Sequence, residues 1–239
     1  MTSSNALRVV GGLALLGVMA TATLGLSLPL TEEQHEYSRL IAIHPPLAWV
    51  AYLAVGVTAI ASALYLWPTT RSRFWDLVAG SSAEVGVVFI ALTLVTGSIW
   101  GRPTWGVWWT WDARLTTTAL MLALYLGYLA LRRVPADLDV RSKRSAIAAL
   151  LAVVVVPINH FAVEWWRTLH QGRSLADIDP GSNLDGSFVA AMLLGFVTMT
   201  LAYGWLVAYR YRVAQVEERI DAFALDRAID ERRAEALAS

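Results

Sequence analysis

Four tryptophans and one aspartate stand within eight residues of this sequence, in the run W-G-V-W-W-T-W-D. They are Trp105, Trp108, Trp109, Trp111 and Asp112. Anchoring a helix at a membrane surface needs only one or two tryptophans, so an aromatic belt accounts poorly for this density. Aromatic surface of this size favours a large ligand that can be buried against it. The segment therefore predicts a binding platform, with an aromatic belt as the alternative.

The same segment can be read as a short helix that begins at Pro103, because proline suits a first helical turn. Positions i, i+3, i+4 and i+7 coincide on one face of a helix. Three of the tryptophans and Asp112 would then share a face, with Trp111 at its flank. We expect such a helix to lie in the plane of the membrane surface.

Two histidines in other segments could supply metal ligands, since histidine is the commonest metal ligand in proteins. His44 immediately precedes two prolines, and His170 follows the run W-W-R-T-L. A porphyrin combines a planar face, apolar edges, two carboxylates and a metal, so it would suit both the platform and the histidines. Arginine binds carboxylates bidentately, which makes the propionates a possible target for three arginines, although ordinary charge pairing is the alternative for each: Arg102, Arg114 and Arg167.

Composition restricts the class of protein that holds these residues. Of the 239 residues, 56% are hydrophobic and only 16% are charged, against about a quarter charged in soluble domains. The net charge is zero and no basic face is clustered, so no nucleic-acid partner is expected. The absence of cysteine excludes disulfides, thiolate ligands and covalent haem attachment through a C-x-x-C-H motif.

Six apolar stretches are long enough to cross a bilayer, which needs about 17–25 residues each. The sequence therefore predicts an all-α, polytopic membrane protein. Pro157 lies inside the fifth stretch and is expected to kink it. A cleaved signal peptide is the alternative for the first stretch, but its apolar run of about 22 residues exceeds the usual 7–15. The stretches are Val9–Leu30, Leu47–Trp67, Leu77–Trp100, Leu115–Leu131, Ala146–Val163 and Ser187–Tyr209.

The distribution of Lys and Arg predicts the orientation. Fourteen of the 19 basic residues fall on the side that carries both termini, which the positive-inside rule assigns to the cytoplasm. The tryptophan-rich loop and the loops that carry His44 and His170 then lie outside. His35 and His160 fall on the same outer side, so all four histidines share it.

Two features are less informative. Residues 1–209 are expected to form the six-span domain and residues 210–239 a charged cytoplasmic tail, which is amphipathic if helical. Glu84 lies within the third span, on the inner half, where an ionisable group is costly. Its alternatives are a polar link to another helix and a direct part in ligand chemistry.

Three motifs resemble one known family. The run G-S-I-W-G-R-P-T-W-G-V-W-W-T-W-D-A-R-L-T looks like the tryptophan-rich signature of haem-handling membrane proteins. The segments I-H-P-P-L-A-W and V-E-W-W-R-T-L-H-Q resemble the two histidine regions of the cytochrome c maturation protein C family, the haem exporter C type. The six-span layout and the length agree with that family from about residue 40 to residue 209.

The resemblance implies a function and a set of site residues. It implies that His44 and His170 are the axial ligands of non-covalent haem b, and that Trp105, Trp109, Trp111 and Asp112 belong to the haem platform. Trp108 and Arg114 join the candidate site through their positions in the same segment. Arg167 stands where relatives often have asparagine, so a polar contact there is an open question.

The resemblance also implies partners and a location. The haem would pass at the periplasmic face of a bacterial inner membrane to a haem chaperone, cytochrome c maturation protein E. The implied assembly contains ATP-binding cassette transporter subunits A and B and a small membrane protein D. The sequence has no G-x-x-x-x-G-K-[ST] phosphate loop, so it would not supply ATP-derived energy itself.

Two alternatives remain from other classes of protein. A b-type haem subunit that transfers electrons across the membrane usually carries histidines in both halves of its spans, and none lies in the inner half here. A scaffold subunit would use the tryptophan segment only to dock partners. Two axial histidines would leave no open iron position for O₂, so an enzymatic activity is open but not favoured.

Overall fold

The computed structural model describes residues 4–32, 34–170 and 186–238, and in that part of the chain it contains helices and no named strand. Six helical segments are long and apolar enough to cross a membrane, which confirms the predicted spans. A seven-residue 3₁₀ helix, Glu36–Ala42, precedes the second of them. The α-helices are α1 (Ser4–Ser27), α2 (His44–Leu66), α3 (Arg73–Trp105), α4 (Ala113–Arg133), α5 (Leu138–Ala152), α6 (Val155–Trp165) and α7 (Gly186–Ala238).

The centre of the bundle is formed by α2 and α3, which pack along their length. On one side α4, α5 and α6 enclose an apolar cluster with them, in which Tyr125 and Ile90 are fully buried. On the other side α7 packs against α2 and α3 through a second cluster that includes Phe89 and Tyr203. The two central helices therefore carry the residues that hold the rest of the bundle together.

Helix α1 lies at the periphery and packs mainly against α7. Two of its glycines, Gly11 and Gly17, face Trp205 and Thr198, and a Cβ at either position would collide with those side chains. Thr21 also donates a hydrogen bond to Thr198 at 3.3 Å. Small residues let helix backbones approach closely where water provides no driving force, so these glycines fix the position of α1.

The fifth span is interrupted, as its proline predicts. Helix α5 ends at Ala152 and α6 begins at Val155. Pro157 lies four residues after Val153, and a proline ring clashes with the carbonyl four residues before it. Proline also has no N–H to donate to that carbonyl. The carbonyl of Val153 accepts the backbone N–H of Val156, which closes a tighter turn.

Helix α7 passes through the expected domain boundary at residue 209 without interruption and runs to Ala238. At 1.5 Å per residue its 53 residues span about 80 Å, against about 30 Å for the hydrocarbon layer. Every residue from 219 to 236 is exposed.

The expected helix from Pro103 through Asp112 is wrong. Helix α3 instead continues through Pro103 and ends at Trp105, because Gly106 adopts a left-handed conformation with φ 79° and donates its N–H back to Arg102. Glycine is the usual residue for such a helix end. Asp112 begins the next helix, so residues 107–112 form a connection between two spans.

The two ends of the bundle differ in composition and are named here for later use. The tryptophan end holds the start of α2, the end of α3, the start of α4 and residues 160–170. The arginine end holds Arg73, Arg132, Arg141 and Arg210.

Candidate functional site

Asp112 organises the tryptophan end. It is buried, and it caps α4 by accepting hydrogen bonds from the backbone N–H groups of Arg114 at 2.9 Å and Leu115 at 3.4 Å. Its second oxygen accepts the backbone N–H of Leu169 at 2.8 Å. A carboxylate at a helix N-terminus satisfies free N–H groups and interacts favourably with the helix dipole. Asp112 therefore ties the segment after α6 to the start of α4.

The same carboxylate orients His170. The distance between His170 Nδ1 and Asp112 Oδ1 is 3.2 Å, and the imidazole lies edge-on to Trp105 with ring centroids 4.8 Å apart. Burial lowers the pKa of His170, the charge of Arg114 lowers it further, and the contact with Asp112 opposes both effects. A neutral imidazole that donates from Nδ1 to a carboxylate keeps its lone pair on Nε2, the atom that can bind a metal.

His44 is held in the same way by a different group. It begins α2, and its Nδ1 lies 2.9 Å from Thr96 Oγ1 on α3. Thr96 Oγ1 is placed to donate to the carbonyls of Leu92 at 2.8 Å and Thr93 at 3.3 Å, so we assign the proton of the His44 contact to Nδ1. Gly97 makes room for the ring, because a Cβ there would lie 3.0 Å from His44 Cε1. The lone pair of His44 is therefore also on Nε2.

Both histidines lie against the last turns of α3. His44 contacts Trp100 edge-on with ring centroids 5.7 Å apart, and His170 contacts Trp105. Five helical residues separate the two tryptophans by about 7.5 Å along the axis. Asp112 also links His170 to the backbone N–H of Arg114 at the start of α4. The structure thus places both imidazoles against the last turns of α3.

The other predicted tryptophans lie at the surface of this end. Trp108 and Trp111 are 58% and 78% exposed, and Trp109 packs edge-on against Trp111 with ring centroids 5.5 Å apart. Trp165 and Trp166, which the sequence reasoning did not assign to the site, are also exposed. Indole surface is therefore presented by two separate segments rather than by one helical face.

Arg114 is anchored at the boundary between α4 and α6. Its guanidinium donates to the carbonyl of His160 at 3.3 Å, and its own carbonyl accepts from the buried amide of Asn159 at 2.9 Å. The Asn159 amide also donates to two hydroxyls, those of Thr117 and Thr118. These bonds fix the start of α4 against α6.

The remaining candidates lie outside the pair of histidines. Arg102 bonds to the carbonyl of Gly106 and closes the end of α3, and Arg167 is exposed. His35 is exposed, and His160 packs against Tyr52 and Phe161. Within the described ranges no group of three or more His, Asp and Glu side chains could hold a metal ion.

Sequence reasoning missed two residues that position His44. Trp100 was visible just before the tryptophan-rich run, and its indole N–H donates to Gln34 at 3.0 Å, which links α3 to the segment before α2. Thr96 gave no signal, because a threonine in an apolar helix usually bonds to its own backbone.

Glu84 is explained by a contact at the arginine end. Its carboxylate accepts a hydrogen bond from Arg210 Nη2 at 3.0 Å, and Arg210 also pairs with Glu217 at 3.0 Å. Of the alternatives for Glu84, the structure contains the polar link between helices, from α3 to α7.

Comparisons with known proteins show the family to which the chain belongs. A family model described as Heme exporter protein C matches residues 1–226. Heme exporter protein C of Haemophilus influenzae is 39% identical over 206 residues, which cover 86% of this chain and 82% of that protein. Its counterpart in Escherichia coli K12 is 39% identical over 179 residues, 72% and 71% of the two chains.

A plant relative extends the comparison. An Arabidopsis thaliana protein, described as ccmC-like, mitochondrial and of cytochrome c biosynthesis, is 34% identical over 196 residues, 82% of this chain and 72% of that protein. These matches confirm the resemblance inferred from the three sequence motifs. With six apolar spans and a match over nearly its whole length, the chain belongs to the heme exporter protein C family.

Proposed function

We propose that this protein binds haem b non-covalently at its tryptophan end and delivers it to a haem chaperone for cytochrome c maturation. One observation carries the proposal. His44 and His170 come from distant segments, lie against successive turns at the end of α3, and are both held through Nδ1. Each Nε2 is thereby left with a lone pair for iron, and the haem is a cargo with its own four equatorial nitrogens.

The surroundings of the two imidazoles suit this cargo. Indole rings border them at Trp100 and Trp105, and further indoles are exposed nearby. A porphyrin face is apolar and planar, so it gains from burial against aromatic rings. The Arg114 guanidinium provides a cation for a propionate, which arginine binds bidentately.

The ligand set also explains why a carrier would not react with its cargo. Two imidazoles fill both axial positions of a haem iron and leave none open for O₂ or peroxide. The chain would therefore hold and release haem without activating oxygen, and this is why we propose a transfer protein rather than an enzyme.

The proposed orientation places the tryptophan end in the periplasm and both termini in the cytoplasm of a bacterial inner membrane. The support is the excess of Lys and Arg on the side of the termini. The charged extension of α7 would then project into the cytoplasm.

The proposed partners follow from the resemblance to the family. They are cytochrome c maturation protein E as acceptor, transporter subunits A and B, and the small membrane protein D. The plant relative's description, which names cytochrome c biosynthesis, supports the pathway.

A b-type electron-transfer subunit is the runner-up. It would need a second haem nearer the arginine end, whereas His35, His44, His160 and His170 all lie at the tryptophan end. A haem stoichiometry of one per chain favours the carrier, and two haems with separate potentials would favour electron transfer.

The test is the haem content of the purified full-length chain. We expect one non-covalent haem with the optical and EPR spectra of bis-histidine ligation, and loss of most of it in His44→Ala and in His170→Ala. His35→Asn is the matched control, because His35 is an exposed histidine at the same end and is not one of the two proposed ligands. Unchanged ligation in either alanine variant would refute the assignment.

The orientation can be tested separately, because the chain contains no cysteine. Thr104→Cys and Ser72→Cys introduce one thiol each at exposed positions of opposite ends. A maleimide that cannot cross membranes should label only Thr104→Cys in cells whose periplasm is accessible. Labelling of Ser72→Cys alone would reverse the proposed topology.

A further inference from the structure

The two histidines have chemically different partners, a carboxylate for His170 and a hydroxyl for His44. We infer that they are unequal haem ligands, and that Asp112 makes His170 the stronger of the two. This inference rests on the proposed function. It assigns Asp112 as a positioning residue that acts on the iron through His170.

The His170 partner is anionic and rigidly placed. Asp112 is buried, and its oxygens accept three backbone N–H groups besides the imidazole. These bonds hold the carboxylate in one orientation relative to α4 and to the segment that carries His170. The imidazole therefore meets a fixed negative charge rather than a mobile side chain.

The His44 partner is neutral and weaker. Thr96 Oγ1 lies 2.9 Å from Nδ1, but its proton bonds to the carbonyl of Leu92. A hydroxyl oxygen accepts the imidazole proton without a full charge. Hydrogen bonds to ionised acceptors are roughly twice as strong as bonds between neutral groups.

The difference matters because the hydrogen-bond partner of Nδ1 affects the basicity of Nε2. A carboxylate that accepts the Nδ1–H raises the basicity of Nε2 and strengthens its bond to a metal, and such partners typically change metal affinity by about 10–100-fold. The site thus combines one ligand suited to retention with a weaker one suited to exchange.

The first measurement is the reduction potential and haem affinity of Asp112→Asn in the full-length protein. Asparagine is an equally good helix N-cap, so α4 should still form. We expect haem to remain bound, its potential to rise because a negative charge is lost, and affinity for ferric haem to fall about tenfold. Asp137→Asn is the matched control. Asp137 stands at the N-cap position of α5, in the loop at the arginine end, and its side chain makes no capping hydrogen bond.

The second measurement compares the two ligands directly. In the ferrous, haem-retaining fraction of His44→Ala only His170 of this pair is left to bind the iron, and in that of His170→Ala only His44 is left. We expect a higher iron–histidine stretching frequency, by resonance Raman spectroscopy, in His44→Ala. Adding Asp112→Asn to that variant should lower it. Adding Thr96→Val to His170→Ala should change the stretching frequency by a smaller amount. Thr96→Ser in the same background should keep the frequency of His170→Ala, because serine retains the hydroxyl.

His44→Ala and His170→Ala leave Asp112 unchanged. Their stretching frequencies therefore test whether the two ligands are unequal even if Asp112→Asn fails to accumulate. Equal stretching frequencies, or an unchanged potential in haem-loaded Asp112→Asn, would overturn the inference and leave the proposed function intact. Failure of the unaltered chain to bind haem through His44 and His170 would instead overturn the proposed function.

Discussion

The two ends of this bundle use polar residues in opposite ways. At the arginine end Asp76 is only 3% exposed, and its carboxylate pairs with Arg132 at 2.7 and 3.0 Å and with Arg73. At the tryptophan end Asp112 is similarly buried, but its side-chain partner is the imidazole of His170, whose other nitrogen is proposed to bind haem iron. The first arrangement pairs opposite charges within the chain, and the second belongs to the site that we propose binds a ligand from outside the chain.

This difference separates structural from functional polar groups in the membrane. Charges inside a span are costly and generally mark either pairing or function. The pairs of Asp76 and Glu84 join α3 to α4 and α7, and therefore stabilise the fold. The histidines hold their rings in place through one nitrogen, which is the arrangement expected of a binding site.

Removing the Asp76 carboxylate is expected to have the largest effect on stability. Asp76→Asn leaves Arg132 buried without its anionic partner, which should cost about 3–5 kcal/mol of unfolding free energy. The measurement is unfolding of the purified protein in mixed detergent micelles. Haem spectra of the fraction that stays folded should be unchanged, because Asp76 lies at the other end; altered ligation would show that the ends are coupled.

Removing exposed indoles at the tryptophan end should leave stability unchanged and weaken binding. Trp108→Ala with Trp111→Ala should leave stability within about 0.5 kcal/mol, because both side chains are largely exposed. If these rings bind the cargo or its acceptor, haem retention or chaperone binding should weaken by about 2 kcal/mol, or roughly 30-fold. Trp67→Ala, an exposed indole at the arginine end, is the control.

The smallest effect is expected at Glu84. Its carboxylate is 40% exposed beside Arg210, so Glu84→Gln should cost no more than about 1 kcal/mol, as partly exposed ion pairs do. The same unfolding assay checks this, with Asp76→Asn as the reference. A loss of haem binding in Glu84→Gln without unfolding would contradict its assignment as a link between helices.

Much of the fold was readable because its signals are local. Hydropathy marked the six spans, and Pro157 marked the break between α5 and α6. The tryptophan segment was misread because helical periodicity was given more weight than Gly106 and Asp112, which are the expected end of one helix and start of the next. Those two residues could have corrected the prediction.

The candidate site was only partly readable. Motifs named His44 and His170 as ligands, which remains a prediction, but nothing in the sequence indicated Thr96. The interfacial tryptophans beyond the main run had no distinguishing pattern either, because exposed indoles are common near membrane surfaces.

By itself, the sequence determined the number of spans, the lack of thiol chemistry and the family, since each depends on composition or on short contiguous motifs. Only the tertiary structure decided which polar groups meet. His44 finds Thr96 across 52 residues, His170 finds Asp112 across 58, and Glu84 finds Arg210 across 126. Hydrogen bonds act over about 3 Å and in set directions, so such pairings exist only once the helices have packed.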